Sequence, residues 1–147
     1  MKKFFLYILT ILFSYNHCFA ETKEELRASY VLNNMQHDYN TCYIFYKITT
    51  EGLRKSDTKD VLIKGLEQSA DTSLKFAFET GELMNMKFEA MSARVKLEMK
   101  SQSNEIKNNP SNISILLKKH GKTCKKLIEN KKQRIEHWEN IATIKFK

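Results

Sequence analysis

A line of mostly apolar and small residues runs through the stretch Thr58 to Lys107: Leu62, Leu66, Ala70, Ser73, Ala77, Thr80, Met84, Phe88, Met91, Val95 and Glu98. Its ten steps cover 36 positions, a mean of 3.6, which is the repeat of an α-helix. The pattern predicts one long helix of about 45 residues, about 70 Å at 1.5 Å per residue, against which the remaining chain packs. Ala70, Ser73, Ala77 and Thr80 are small, so this stripe makes a thin core by itself. Gly65 and Gly81 interrupt it, each at a cost of about 1 kcal/mol relative to alanine. Thr80-Gly81-Glu82 is the point where the helix would divide, turning three helices into four. The phase carried through Ala77, Thr80, Met84 and Phe88 favours continuity, because a loop usually resets it.

Two flanking segments share the helical period. Glu21 to Leu53 opens on Thr22-Lys23-Glu24-Glu25, the form of a capping box with Thr22 as N-cap and Glu25 three residues on. Its inward line is Leu26, Tyr30, Val31, Met35, Tyr39, Cys42, Phe45, Tyr46 and Thr49. Gly52 reads as a helix stop, and Asp57 or Thr58 as the cap of the next helix. Ser101 to Asn112 is polar and holds the only proline. It reads as a loop whose end caps the last helical segment. Ile113 to Phe146 then aligns Ile113, Leu117, His120, Cys124, Leu127, Lys131, Ile135, Trp138 and Ala142 as a third helix, with Gly121 a weak spot near its start. One proline and four glycines among abundant Lys, Glu, Leu, Ile and Met are helical composition. The expectation is an all-α, elongated three-helix up-down-up bundle with one long central helix, or four helices if that helix breaks near Gly81.

Residues 1–20 change the picture of where the chain works. Lys2 and Lys3, an apolar run from Phe4 to Phe13, and Cys18-Phe19-Ala20 follow the order of a secretory signal peptide cut after Ala20. The run is about ten residues, against the roughly 20 of a membrane-spanning helix. The mature chain, residues 21–147, is expected to be one domain in the periplasm or outside the cell. Removing Lys2 and Lys3 lowers the formal charge from +8 to +6, and Cys18 leaves with them. Cys42 and Cys124 remain, and two cysteines in an exported protein read as a disulfide. Closing a loop of about 80 residues stabilises by about 4 kcal/mol in the chain-entropy model.

Charge collects at the C-terminal end. From Asn112 onward ten Lys or Arg face three Glu, so the last segment carries +7 and the rest of the mature chain −1. Lys118, Lys122, Lys125, Lys126 and Lys132 fall off the apolar line and form a candidate anion-binding face, suited to a weak contact with an anionic membrane surface or other envelope anions. Export, and the lack of stacking aromatics among these lysines, argue against nucleic acid. Met84, Met86, Met91 and Met99 offer soft ligands for copper, but flexible core filling suits them better. Met35 and His120, both on inward lines, could in principle hold haem between helices. Glu-x-x-His does not recur, so a di-iron bundle site is not indicated. No nucleophile motif, phosphate loop or zinc pattern occurs.

The sequence thus predicts a non-enzymatic interaction or adaptor protein whose partner is another envelope protein, with no metal and no cofactor. Two alternatives stand beside it. One is a bundle binding a small ligand or a metal (haem or copper) through the Tyr39–Tyr46 region or the inward methionines. The other is a peripheral binder of envelope anions through the basic last helix.

Overall fold

A computed structural model describes residues 21–55 and 59–147. The expected signal peptide and the expected caps Asp57 and Thr58 lie outside these residues. The all-α class holds. The described helices are α1 (Lys23–Arg54), α2 (Asp60–Leu83), α3 (Phe88–Glu105), the short α4 (Ser114–Leu116), α5 (Lys122–Glu129) and α6 (Lys131–Lys145). A 3-10 turn (Pro110–Asn112) precedes α4, and a π-helical turn (Leu117–Gly121) joins α4 to α5.

The organising element is α1, rather than the stretch after it. The expected capping box starts it. Thr22 Oγ1 accepts from the Glu25 amide at 3.2 Å, and Glu25 Oε2 accepts from the Thr22 amide at 2.7 Å. From Cys42 onward burial extends around the helix, taking in Ile44 and Ile48 as well as Cys42, Phe45 and Tyr46. Such all-round burial is the mark of a helix enclosed by others, and α1 packs against α2, α3, the π turn, α5 and α6.

The small residues of α2 are what let it approach α1 closely. Ala70, Ser73 and Ala77 are each at most 1% exposed. The hydroxyls this seam buries are satisfied within α2. Ser73 Oγ donates to the Ser69 carbonyl and Thr80 Oγ1 to that of Phe76. Arg54 pairs with Glu67, Tyr39 packs on Phe76, and Gln36 lies beside Gly81. The two helices therefore run antiparallel.

The expected unbroken helix from Thr58 to Lys107 does not form. It ends at Leu83 and restarts at Phe88, and Asn85 is the reason. Its φ of 54° is left-handed, a conformation Asn tolerates. The Asn85 amide donates to the Glu82 carbonyl at 2.9 Å and the Met86 amide to that of Gly81 at 3.0 Å. This is a Schellman stop with Asn in the glycine position. Gly81 itself stays helical. A Cβ there would lie 2.8 Å from Gln36 Nε2 and 2.9 Å from Met91 Cγ, so its role is close approach by α1 and α3. Leu62 and Phe88, expected to face inward, are 52% and 65% exposed.

The expected loop also begins later, because α3 continues to Glu105. Lys107 and Asn108 have φ of 55° and 54°, and they close α3 by the same pair of bonds. The Lys107 amide donates to the Asn104 carbonyl, and the Asn108 amide to that of Ser103. The expected single helix from Ile113 to Phe146 is likewise divided, by the π turn and by Asn130. Asn130 leaves helical geometry and caps α6 through its side chain, which accepts from the Gln133 amide at 3.3 Å.

These breaks reverse an expected direction. An up-down-up bundle makes the first and last helices parallel. Along α1 the partners instead run Cys42 with Cys124, Asp38 with Arg134, Tyr30 with Trp138 and Arg27 with Phe146. The last segment is thus antiparallel to α1. Arg94 bonds Asn33 and Gln102 bonds the Thr41 carbonyl, so α3 runs parallel to it. The course is up-down-up-down, the four-helix alternative, with its break just beyond Gly81.

Candidate functional site

Cys42 and Cys124 are bonded, Cα to Cα 5.2 Å, and both are fully buried among Leu116, Leu127 and the aromatic rings of α1. One turn before Cys42, Asp38 ties α6 down. Its carboxylate accepts from Arg134 Nε at 2.7 Å, Arg134 Nη2 at 3.0 Å and Trp138 Nε1 at 2.6 Å. Charge-assisted, two-pronged bonds of this kind are the strong ones. The guanidinium also stacks 4.6 Å from the Trp138 ring, a cation–π contact. Arg134 and Trp138 are one helical turn apart, but the sequence offered no spacing that linked them to Asp38, about a hundred positions earlier.

Clamped at these points, α6 lies along α1 beside α2 and leaves a groove of about 820 Å³. The floor comes from one face of α1: Ala28, Val31, Leu32, Met35 and Tyr39, residues that share a side of the helix by their spacing. Phe76 and Leu83 of α2 form one wall and Ile135 of α6 the other. Leu83, at 70% exposed, stands at the edge. The volume lies in the range of ligand-binding clefts. Both signs of charge line it as well, Arg27 and Lys131 against Glu79 and Glu139. Lys131 lies 5.0 Å from the Phe76 ring centroid. Arg27 Nη2 donates to the Phe146 carbonyl, and its buried Nε has no partner among the described residues. Burial, followed by the charges of Asp38 and Glu79, pushes the Tyr39 hydroxyl up to about 12. It therefore stays a neutral donor at physiological pH. Of the expected aromatic patch, Tyr39 is the residue that reaches the groove.

A second cleft of about 490 Å³ lies at the elbow where α5 meets α6. Most of its lining residues are polar, among them Lys122 and Lys126 of α5 and Arg134 and His137 of α6. The expected basic face is thereby divided. Lys118, Lys122, Lys125, Lys126 and Lys132 are all exposed, but only Lys122 and Lys126 line the elbow. Lys125 and Lys132 sit 3.8 and 3.9 Å from Glu129 and Glu136, surface pairs of small energetic weight.

A third cleft, about 340 Å³, opens beside the disulfide between α3 and the π turn, with His37, Glu98, Glu105, Lys119 and His120 around it. His120 Nε2 is buried without a partner among the described residues. Burial first, then Lys119 and His37, hold its imidazole below the ordinary histidine value against the opposing pull of Glu105 and Glu98. The neutral ring is the form that burial favours.

Met35 lines the groove and His120 this third cleft, so the two residues considered for haem do not converge. Met84 and Met86 belong to the turn after α2, and Met91 is buried over Gly81. Among the described residues no group of three or more His, Cys, Asp or Glu is arranged to hold a metal ion, and no helix is long and apolar enough to cross a membrane. No family model, curated protein or solved structure matches the chain.

Proposed function

We propose that this chain is an exported protein that acts by binding, an interaction or adaptor protein that holds an amphipathic helix of another envelope protein in the groove between α1, α2 and α6. The groove is the observation that carries this reading. Ala28 to Tyr39 extend about 17 Å along α1 at 1.5 Å per residue, room for about three turns of a helix laying down its apolar face. Helix-in-groove recognition works through such a face, with anchors at i, i+3 or i+4, and i+7. Arg27 and Lys131 beside Glu79 and Glu139 give the groove both signs of charge, which suits the mixed polar flank of a protein helix better than a single-signed lipid head. The leader-like residues 1–20 and the disulfide support the placement outside the cytoplasm.

The test places a photo-crosslinking residue at Leu83 in the full-length chain expressed in cells, and sequences the captured peptide. A captured peptide from an exported protein with apolar residues at helical spacing, lost when Val31→Asp is added, supports the reading. Capture of lipid, of a second copy of this chain, of its own residues 1–20, or of nothing overturns it. Recovery of a chain beginning at Glu21 from the extracytoplasmic fraction checks the export.

A further inference from the structure

The elbow cleft lies on the face of α6 away from the groove. Its α6 residues are Gln133, Arg134, Glu136, His137 and Asn140, whereas the groove uses Lys131, Ile135, Glu139 and Ala142. Occupancy of one site leaves the other open. We propose that the elbow binds a phosphate monoester carried on a sugar or polyol, the phosphate held by Lys122 and Lys126 and the hydroxyls by the amides around them.

Three features support this chemistry. Lys122 and Lys126 both line the opening, and their spacing of four puts them on one side of α5. Among the described residues neither forms an ion pair with a carboxylate, unlike Lys119, Lys125 and Lys132. Arg134, from α6, is fixed by Asp38, which takes its Nε and Nη2, and by stacking on Trp138. Nη1 makes no hydrogen bond among the described residues, so a ligand that reaches this guanidinium meets a side chain already ordered. The remaining lining includes the neutral polar residues Thr123, Asn130, Gln133 and Asn140. Glu136 also lines the cleft, a carboxylate able to accept from ligand hydroxyls and set to repel a dense polyanion. Such a lining favours one doubly charged group on a hydroxylated body over a nucleic acid or a polyphosphate chain.

The experiment uses the mature chain with its disulfide intact and follows amide and side-chain NMR signals during titration with glucose 6-phosphate, inorganic phosphate, glucose, and vesicles of phosphatidylinositol 4-phosphate, a lipid-borne phosphate monoester on a polyol, in phosphatidylcholine. Glucose 6-phosphate is expected to move the signals of Lys122, Lys126, Asn130, Arg134 and His137 together, and to bind at least about tenfold more tightly than glucose, the usual scale for a charge-assisted phosphate contact. Lys122→Gln with Lys126→Gln should abolish this, whereas Lys118→Gln with Lys125→Gln, neither of which lines the cleft, should leave it unchanged. Vesicle binding that competes with glucose 6-phosphate identifies a lipid-borne source of the same group, and its absence identifies a soluble one. Inorganic phosphate binding as tightly as the sugar phosphate overturns the polyol part. Equal weakening by both lysine pairs, vesicle binding without sugar-phosphate binding, or no movement of these signals overturns the site. None of these outcomes depends on what occupies the groove.

Discussion

Replacing Cys42 and Cys124 together by alanine is the perturbation with the largest effect that this fold implies. The bond joins residues 82 apart, and the chain-entropy model puts the stability of such a closure at about 4.5 kcal/mol. The native structure adds to this rather than offsetting it. Both cysteines are fully buried where α1 meets α5, so loss of the sulfurs leaves space that the neighbouring Leu116 and Leu127 fill only in part. Domains of this size are stable by roughly 5–15 kcal/mol, so the change removes a large fraction of the total. At about 3–5 °C per kcal/mol it lowers Tm by about 15–20 °C. The assay is urea unfolding followed by circular dichroism, on the oxidised protein, the reduced protein and the double variant. The midpoint should fall in the last two, and the m-value should rise, because the uncrosslinked unfolded chain exposes more surface. Mass before and after reduction should differ by about 2 daltons, the two hydrogens added. Equal midpoints for oxidised and double-variant protein, or a mass unchanged by reduction, would show that no such bond holds α5 to α1.

Two further perturbations act on the same packing. Asp38→Asn removes the charge that Arg134 and Trp138 share, in a site where the Asp38 side chain is 11% exposed. It should cost about 2–3 kcal/mol and shift Trp138 emission in the folded state, so an unchanged unfolding midpoint would show that the clamp is idle. His120 makes stability depend on pH. Its folded pKa lies below the ordinary histidine value of 6.5, so the unfolded chain takes up the proton first as pH drops. Stability therefore falls below about pH 6.5 and levels off once pH is under the folded value. His120→Gln should flatten that part of the urea-midpoint profile, and an unaltered profile would assign it to other groups.

The groove was only partly legible in the sequence. Its α1 floor lies mostly on the apolar line already visible, and Ile135 and Ala142 lie on that of the last segment. What could not be read was that these faces leave a gap between them. The gap comes from the antiparallel course of α6 and from the Asp38–Arg134–Trp138 clamp, contacts between residues about a hundred positions apart. The elbow depends on a single break at Asn130, for which the signal was present: an Asn three residues before Gln133, able to cap a new helix.

Local rules were enough to set the helical class, the start of α1, the inward placement of both cysteines and the excess of positive charge at the end. Those rules are the 3.6-residue period, capping chemistry and composition. Long-range packing chose which helix is central, where the long stretch divides and which way the last segment runs. The aromatic and β-branched residues of α1 are bulky enough to bury its circumference, whereas α2 contributes a seam of small residues that only makes sense against a close partner. Gly81 had looked like the breaking point because glycine weakens a helix, yet packing from Gln36 and Met91 holds it helical. Asn85, an ordinary polar residue by pattern, makes the turn because it tolerates the left-handed backbone that the reversal requires. That reversal adds a helix and sets α6 antiparallel to α1, which leaves the groove open.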